Sequence, residues 1–345
     1  MKVLILGRGI SGLSLAYNFS KAGHYVEVYG RTGCRDRASS LAQGIVCNKG
    51  LLIPNTKLFE YKLKSLDYIK KLISELNSIS EIQVNHNFKE VFECFSGDFN
   101  MSMARIYKGE YSGLFRCRVE RPSKDYASYL NPALDVAVKY PEEGWFNVSE
   151  FLESIEYVIK NRYQASVIDN HLSIKDIEKI RDDFDLCVIS AGYKSKEILS
   201  NLISLELPLK AVSGQIVEFS TPISSQLNIV SGARSIIWSG RSVFVGSSSF
   251  KCENPSDDLL LEEERKLEEF ARQQLNIPLK KVSNALDYGV RAVYKARNPV
   301  WNYIEEHKLL YLSGMFKNGL QIAPMLSEKI VEFICSNSNF TDFKS

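Results

Sequence analysis

The stretch Val3-Leu4-Ile5-Leu6-Gly7-Arg8-Gly9-Ile10-Ser11-Gly12 constrains the fold more than any other part of the chain. Four consecutive apolar residues read as a buried strand, and they run directly into a G-x-G-x-x-G turn that opens a helix. Gly7 permits the tight turn. Gly9 leaves no Cβ where a pyrophosphate must approach the backbone, and Gly12 lets the helix pack closely on its strand. The helix extends to about Lys21, with Ile10, Leu13, Tyr17 and Ser20 along one side, and its free N–H groups and positive dipole end face the phosphates. Tyr25 to Tyr29 forms the second strand of the unit. Strand, glycine turn, helix and strand in this order make a dinucleotide site, with Gly7, Gly9, Ile10, Ser11 and Gly12 as its first contacts.

One part of that site is missing. The acidic residue that usually ends the second strand and holds the adenosine ribose is Gly30 here, followed by Arg31. An arginine at this place can accept a 2′-phosphate, so the fingerprint alone leaves an FAD site and an NADP site open.

A chain of 345 residues exceeds the usual size of a single core, so two consecutive or interleaved domains are expected. Basic and acidic side chains nearly balance, with a net charge of +2, and give no general reason to expect nucleic acid or a membrane as partner. The seven cysteines are scattered without a C-x-x-C pair, which fits reduced thiols in a cytoplasmic protein and no metal cluster. The first apolar run is too short to span a membrane and lacks the features of a signal peptide.

Beyond Arg31, the small residues Ala38-Ser39-Ser40-Leu41-Ala42-Gln43-Gly44 either line the phosphate crevice or open a helix capped by a serine. Apolar residues from Leu58 to Ile73 recur at helical spacing over 55–76, and the lysines between them, Lys62 included, read as a solvated face. Phe88 to Phe95 and Met101 to Tyr107 read as short strands of an antiparallel sheet. Ser149 is the expected cap of a helix from Glu150 to Arg162. Asp185 to Gly192 is an apolar run ending in small residues, the pattern of a strand buried on both faces whose end, Ala191-Gly192, meets a ligand; it belongs beside the first strand. Ser235 to Trp238 and Ser242 to Gly246 read as a hairpin, and Leu259 to Gln274 as a charged, solvated helix.

Four anchors taken in order make the chain resemble the D-amino-acid oxidase-like superfamily of FAD-dependent oxidoreductases, which includes glycine and sarcosine oxidases. They are Gly7 to Gly12; Ala38 to Gly44; Val188 to Gly192 followed by Ser213-Gly214-Gln215; and Tyr288-Gly289-Val290-Arg291 with Gly314 to Pro324. The resemblance implies a mixed α/β fold in which a Rossmann-like FAD-binding domain (1–54, 143–212 and 285–345) is interleaved with an antiparallel-sheet substrate domain (55–142 and 213–284). It implies FAD held noncovalently by the fingerprint together with Arg31, Ser39, Ser40, Gln43, Gly44, Ala191, Gly192, Gly314, Phe316, Lys317, Asn318, Gly319 and Leu320. The loop from Gly314 to Gly319 would approach the flavin ring, and the helix beginning near Leu320 would aim its positive end at the reduced flavin. Arg291 matches the family arginine that grips a substrate carboxylate, a task suited to the guanidinium fork.

The activity this implies is oxidation of a C–N bond in a small amino acid or secondary amine by hydride transfer to flavin, with oxygen or another acceptor reoxidising the cofactor. Two other activities stay open on the residues alone: an NADP-dependent dehydrogenase, from Gly30 and Arg31, and an RNA-acting flavoprotein, from scattered basic residues. A flavin-binding protein without turnover is a further alternative.

Overall fold

The computed structural model describes residues 1–32, 37–48, 57–96, 117–121, 124–163, 165–231, 234–282, 286–336 and 339–345. Its central layer is a six-stranded sheet ordered Val300–Ile304, Leu309–Ser313, Leu186–Ile189, β1 (Lys2–Leu6), β2 (Tyr25–Tyr29) and Ala165–Ile168. All neighbours are parallel except the Val300–Ile304 edge, which pairs antiparallel with Leu309–Ser313. The expected placement of the Val188 strand beside the first strand holds, with Val3 opposite Leu186 and Leu6 opposite Ile189.

β1 is buried on both faces, and its alternation divides the core. Val3 and Ile5 face one layer, where α1 (Ile10–Lys21) packs with the helices Val148–Arg162 and Gly319–Ser336. Leu4 and Leu6 face the other, with Ile177, Ile198 and Leu199. Every residue of α1 from Ile10 to Ser20 is buried, so the one-sided pattern read from its sequence understates its burial. A helix covered on all sides needs small residues wherever neighbours crowd it, and Ser11, Gly12, Ser14 and Ala16 meet that need.

A second sheet runs Arg234–Gly246, Ile216–Ser231, Glu90–Ser96, Leu134–Pro141 and Arg118–Glu120, with Lys280–Lys281 paired to Ile216–Ser231. It is antiparallel apart from the contact of Ile229 with Phe92, where two strands run parallel. The expected short hairpin around Gly240 is absent: Arg234–Gly246 is one strand pairing with Ile216–Ser231 through a bulge. Trp238, Val243 and Phe219 on its inner face pack against Leu267, Phe270 and Ala271 of the helix Asp257–Gln274, whose N-cap is Ser256. That helix is not wholly solvated, because Glu264 is buried and ion-paired with Lys281. The strand expected over 88–95 lies at Glu90–Ser96, and the one expected over 101–107 falls outside the described residues.

Two local readings are corrected. Asn147, not Ser149, caps the helix Val148–Arg162, its side chain accepting from the Glu150 N–H at 3.3 Å. Lys62 is buried rather than solvated on the helix Lys57–Ile79, because Glu143, Asn48 and Gln321 close over that side.

Candidate functional site

The end of β1, the start of α1 and the end of Leu186–Ile189 meet at one point. Gly7 adopts a positive φ of 126°, its N–H donates to Tyr29 O at 2.9 Å, and a Cβ there would lie 2.3 Å from Ser190 O. A Cβ on Gly12 would lie 1.8 Å from Gly7 O, so this glycine permits the helix to start directly against the turn. Gly9 differs from both. Its Cβ would meet no backbone, only the Ser39 hydroxyl at 3.1 Å, so the space it leaves faces outward from the protein.

Ser39 sits at this point for a tertiary reason. It caps no helix of its own; its Oγ accepts from the Ile10 N–H at 3.0 Å, satisfying one of the free donors at the α1 N-terminus. Ser40 is exposed beside it, and Ser11 is buried next to Gly12. A second helix N-terminus lies alongside: a Cβ on Gly319 would come within 3.5 Å of the Ile10 side chain, bringing the start of Gly319–Ser336 next to the start of α1. The Asn318 carbonyl accepts from Ile322 in the first turn of that helix, and Leu320 packs on the core below. Two positive dipole ends therefore lie side by side.

Other expected contacts are placed differently. Gln43 turns its amide into the second sheet, donating to Ser235 O at 3.2 Å and Phe244 O at 2.6 Å and accepting from Ser235 Oγ. Gly44, at φ 86°, is required by the protein itself, since a Cβ would strike Phe146 O at 2.0 Å. Gly192 also has a positive φ, with open space beside it, and its carbonyl accepts from Ser313 Oγ at 2.8 Å; Ala191 leads into that turn. Arg31 is exposed.

Arg8, the variable residue of the fingerprint, is held against Glu156 by two bonds of 2.6 and 2.5 Å and lies 3.5 Å from Asp169. Hydrogen bonding to Glu156 holds its guanidinium in the charged form against the cost of burial. Asp169, just past the strand Ala165–Ile168, accepts from the Thr32 side chain and backbone, which pull its carboxyl below the usual range. Arg8 covers the position where the ribose acid would arise.

Arg291 lies on the strand Gly289–Val293, paired with Lys210–Gly214. Its neighbours Val290 and Ala292 face the core, which directs Arg291 to the other side. The guanidinium donates to Ser248 O at 3.2 and 3.3 Å and reaches Ser213 O at 3.5 Å; among the described residues no carboxylate pairs with it. Burial pushes it down to about 10. Gly214 has to be glycine here, since its Cβ would lie 2.3 Å from Ser248 O, a backbone atom, as well as overlap the guanidinium.

The loop from Gly314 to Asn318 connects this wall to the helix ends. Gly314 has φ 74° and a Cβ there would meet Tyr294 and Asn298, so the two loops are seated on each other. The Phe316 N–H donates to Ala292 O at 3.0 Å, with Phe316 itself at a positive φ of 49°. Lys317 follows. Protein crowding around its ammonium, and then the charges of Arg291, Arg297 and Arg234, push it down to about 8, although its side chain is open to solvent.

Sequence reading missed Gln321, whose amide donates to Asn48 Oδ1 at 3.0 Å and Lys62 O at 2.8 Å and ties the helix start to two distant segments. A glutamine within an otherwise apolar helix face was the available signal. It also gave no role to Gln215, which is buried with no hydrogen-bond partner for its amide among the described residues.

The fold and crevice define a Rossmann-type nucleotide-binding protein with a second sheet domain set against it. The chain belongs to the DAO family of FAD-dependent oxidoreductases, whose pattern it matches over residues 2–333. FAD is the cofactor of that family. Among solved structures, the chain is similar to glycine oxidase from Bacillus cereus, at 17% identity and TM-score 0.80 over 99% of this chain and 97% of that one. It is similar to iminodiacetate oxidase from Chelativorans sp. BNC1, at 17% identity and TM-score 0.76 over 99% and 98%. L-α-glycerophosphate oxidase from Mycoplasma pneumoniae with FAD bound aligns at 13% identity and TM-score 0.71 over 98% and 95%. At these identities the likeness concerns the fold. No curated protein matches the chain by sequence. Among the described residues no helix is long and apolar enough to cross a membrane, and no group of three metal-ligating side chains is present.

Proposed function

We propose that the protein oxidises the C–N bond of a small amino acid or amine that carries a carboxylate, with Arg291 as the grip on that carboxylate. One observation carries this reading: Arg291 holds its guanidinium on carbonyl oxygens, its described partners, and the loop tied through Phe316 to the adjacent Ala292 leads to the helix start at Gly319, beside the start of α1. A guanidinium held by carbonyls keeps its position and its charge, and its remaining donors suit a planar carboxylate.

The residues present fit FAD. Gly9 leaves space beside the Ser39 hydroxyl at the start of α1, where a pyrophosphate can approach the backbone, and the second helix N-terminus suits the electron-rich edge of a flavin. In this reading Gly7, Gly9, Ile10, Ser11 and Gly12 with Ser39 and Ser40 would hold the phosphates, and Ala191 and Gly192 would border them. Gly314, Phe316, Lys317, Asn318, Gly319 and Leu320 would hold the ring. Segments 1–54, 143–212 and 285–345 would bind FAD, and 55–142 and 213–284 the substrate.

When bound, FAD supplies the two-electron acceptor for a hydride leaving the substrate α-carbon. The protein's part is positional. Arg291 fixes the carboxylate end and thereby the α-carbon, while the cationic wall lowers the electrostatic cost of an anion entering the crevice. Loss of hydride and an N–H proton leaves an imine, which water cleaves to a carbonyl compound and the free amine.

The purified protein should be yellow, and denaturation alone should release FAD, since the reading includes no covalent link. Screening amino acids and N-substituted glycines under anaerobic conditions should find one that bleaches the flavin. Arg291→Met should keep the flavin and weaken that substrate about tenfold to hundredfold, the equivalent of roughly 1.5–3 kcal/mol for a charged hydrogen bond. A colourless protein that binds NADP, or an Arg291→Met variant as active on an acid substrate as the parent, overturns the reading.

A further inference from the structure

β2 and the strand Ala165–Ile168 run parallel and end together, with Tyr29 opposite Ile168. The pairing continues one bond further: the Gly30 N–H donates to Ile168 O at 3.2 Å, which puts Asp169 in register beside Gly30. The acid absent from the end of β2 is thus present at the same level of the sheet one strand over, at a strand spacing of about 4.8 Å. Resting on the reading of the crevice as the FAD site, we propose that the Asp169 carboxylate accepts a hydrogen bond from the 2′-hydroxyl of the adenosine ribose of FAD, in place of the acid missing at Gly30.

The position, aim and free capacity of Asp169 suit this role. It lies at the carboxyl end of the parallel strands, the side on which such sheets take their ligands. Its Oδ1 accepts from the Thr32 N–H at 2.9 Å and its Oδ2 from the Thr32 hydroxyl, so the carboxylate is held against the segment that follows β2. Arg8 does not consume it. That guanidinium makes its two short bonds, of 2.6 and 2.5 Å, to Glu156 and stands 3.5 Å from Asp169. A carboxylate offers about four acceptor sites, and two donors from Thr32 with one distant donor from Arg8 leave one open. Half of the Asp169 side chain is exposed, so the open site is within reach of a ligand. Arg8 also accounts for the change of strand. A Cβ at position 30 would lie 2.6 Å from the Arg8 Cβ, so Arg8 and an acid on β2 compete for one volume, whereas an acid on the next strand coexists with Arg8.

The test is competition on the FAD-loaded protein. The parent, Asp169→Ala, Asp169→Asn and Thr32→Ala are equilibrated with a mixture of FAD and the flavin dinucleotide whose adenosine lacks the 2′-hydroxyl, and the two bound forms are quantified by mass spectrometry after denaturation. The parent should hold FAD about tenfold or more over the deoxy form, the worth of one charged hydrogen bond. Asp169→Ala should bring that ratio near one, and Asp169→Asn, which keeps an acceptor without the charge, to a value between. Thr32→Ala should keep the preference for FAD, since the carboxylate remains. The ratio compares two ligands on one protein, so a loop loosened by substitution weakens both and leaves it unchanged. A parent ratio near one overturns the assignment of Asp169. So does a preference undiminished in Asp169→Ala or, if that variant does not fold, in Asp169→Asn. A parent that retains neither flavin removes the crevice reading on which the assignment rests.

Discussion

Arg8 occupies the space above Gly30: a Cβ at position 30 would lie 2.6 Å from the Arg8 Cβ and 2.8 Å from its backbone nitrogen. Gly30 is therefore glycine for a steric reason, and φ is not the cause. The ribose acid cannot be restored there by simple substitution. Gly30→Glu is expected to lose roughly 1–3 kcal/mol of stability through overpacking and to bring no gain in FAD affinity. Thermal melting and flavin titration on the same preparation check both parts, and tighter FAD with an unchanged melting temperature contradicts the clash.

Gly12→Ala is expected to disrupt the cofactor site more than Gly9→Ala. The alanine Cβ at position 12 would sit 1.8 Å from Gly7 O, a backbone atom, so the turn and helix have to separate. At position 9 the nearest atom is the Ser39 hydroxyl, the end of a side chain that can rotate. Gly9→Ala should fold with a melting temperature near that of the parent and lose FAD affinity, whereas Gly12→Ala should lose both. Comparing melting curves and bound flavin for the two variants checks the order.

Gln321→Ala removes two donors from buried acceptors at the start of Gly319–Ser336, Asn48 Oδ1 and Lys62 O. An expected loss of about 1–3 kcal/mol follows from leaving such groups without their partner. Because the same helix start borders the crevice, flavin affinity should fall with stability. Denaturant unfolding of FAD-free and FAD-loaded protein measures both, and an unchanged unfolding midpoint shows that water replaces the amide.

The strand, glycine turn and helix from Val3 to Lys21 were determined by sequence alone, because each step is local: four apolar residues, then glycines where Cβ atoms do not fit. The buried strand ending at Ile189 was equally legible, since burial on both faces leaves a continuous apolar run. So was the order of the anchors that led to an FAD-dependent oxidoreductase. Tertiary structure decided what those residues meet. Ser39 reaches Ile10 across 29 positions, Gln43 is drawn into the second sheet across 201, and Lys62 is buried by Glu143, Asn48 and Gln321 despite its place between apolar positions. Arg8 lying over Gly30 likewise joins segments remote in the chain. Local propensity and periodicity record which face of an element is apolar. Desolvation, charge accumulation and steric exclusion depend on what the rest of the chain brings to that face.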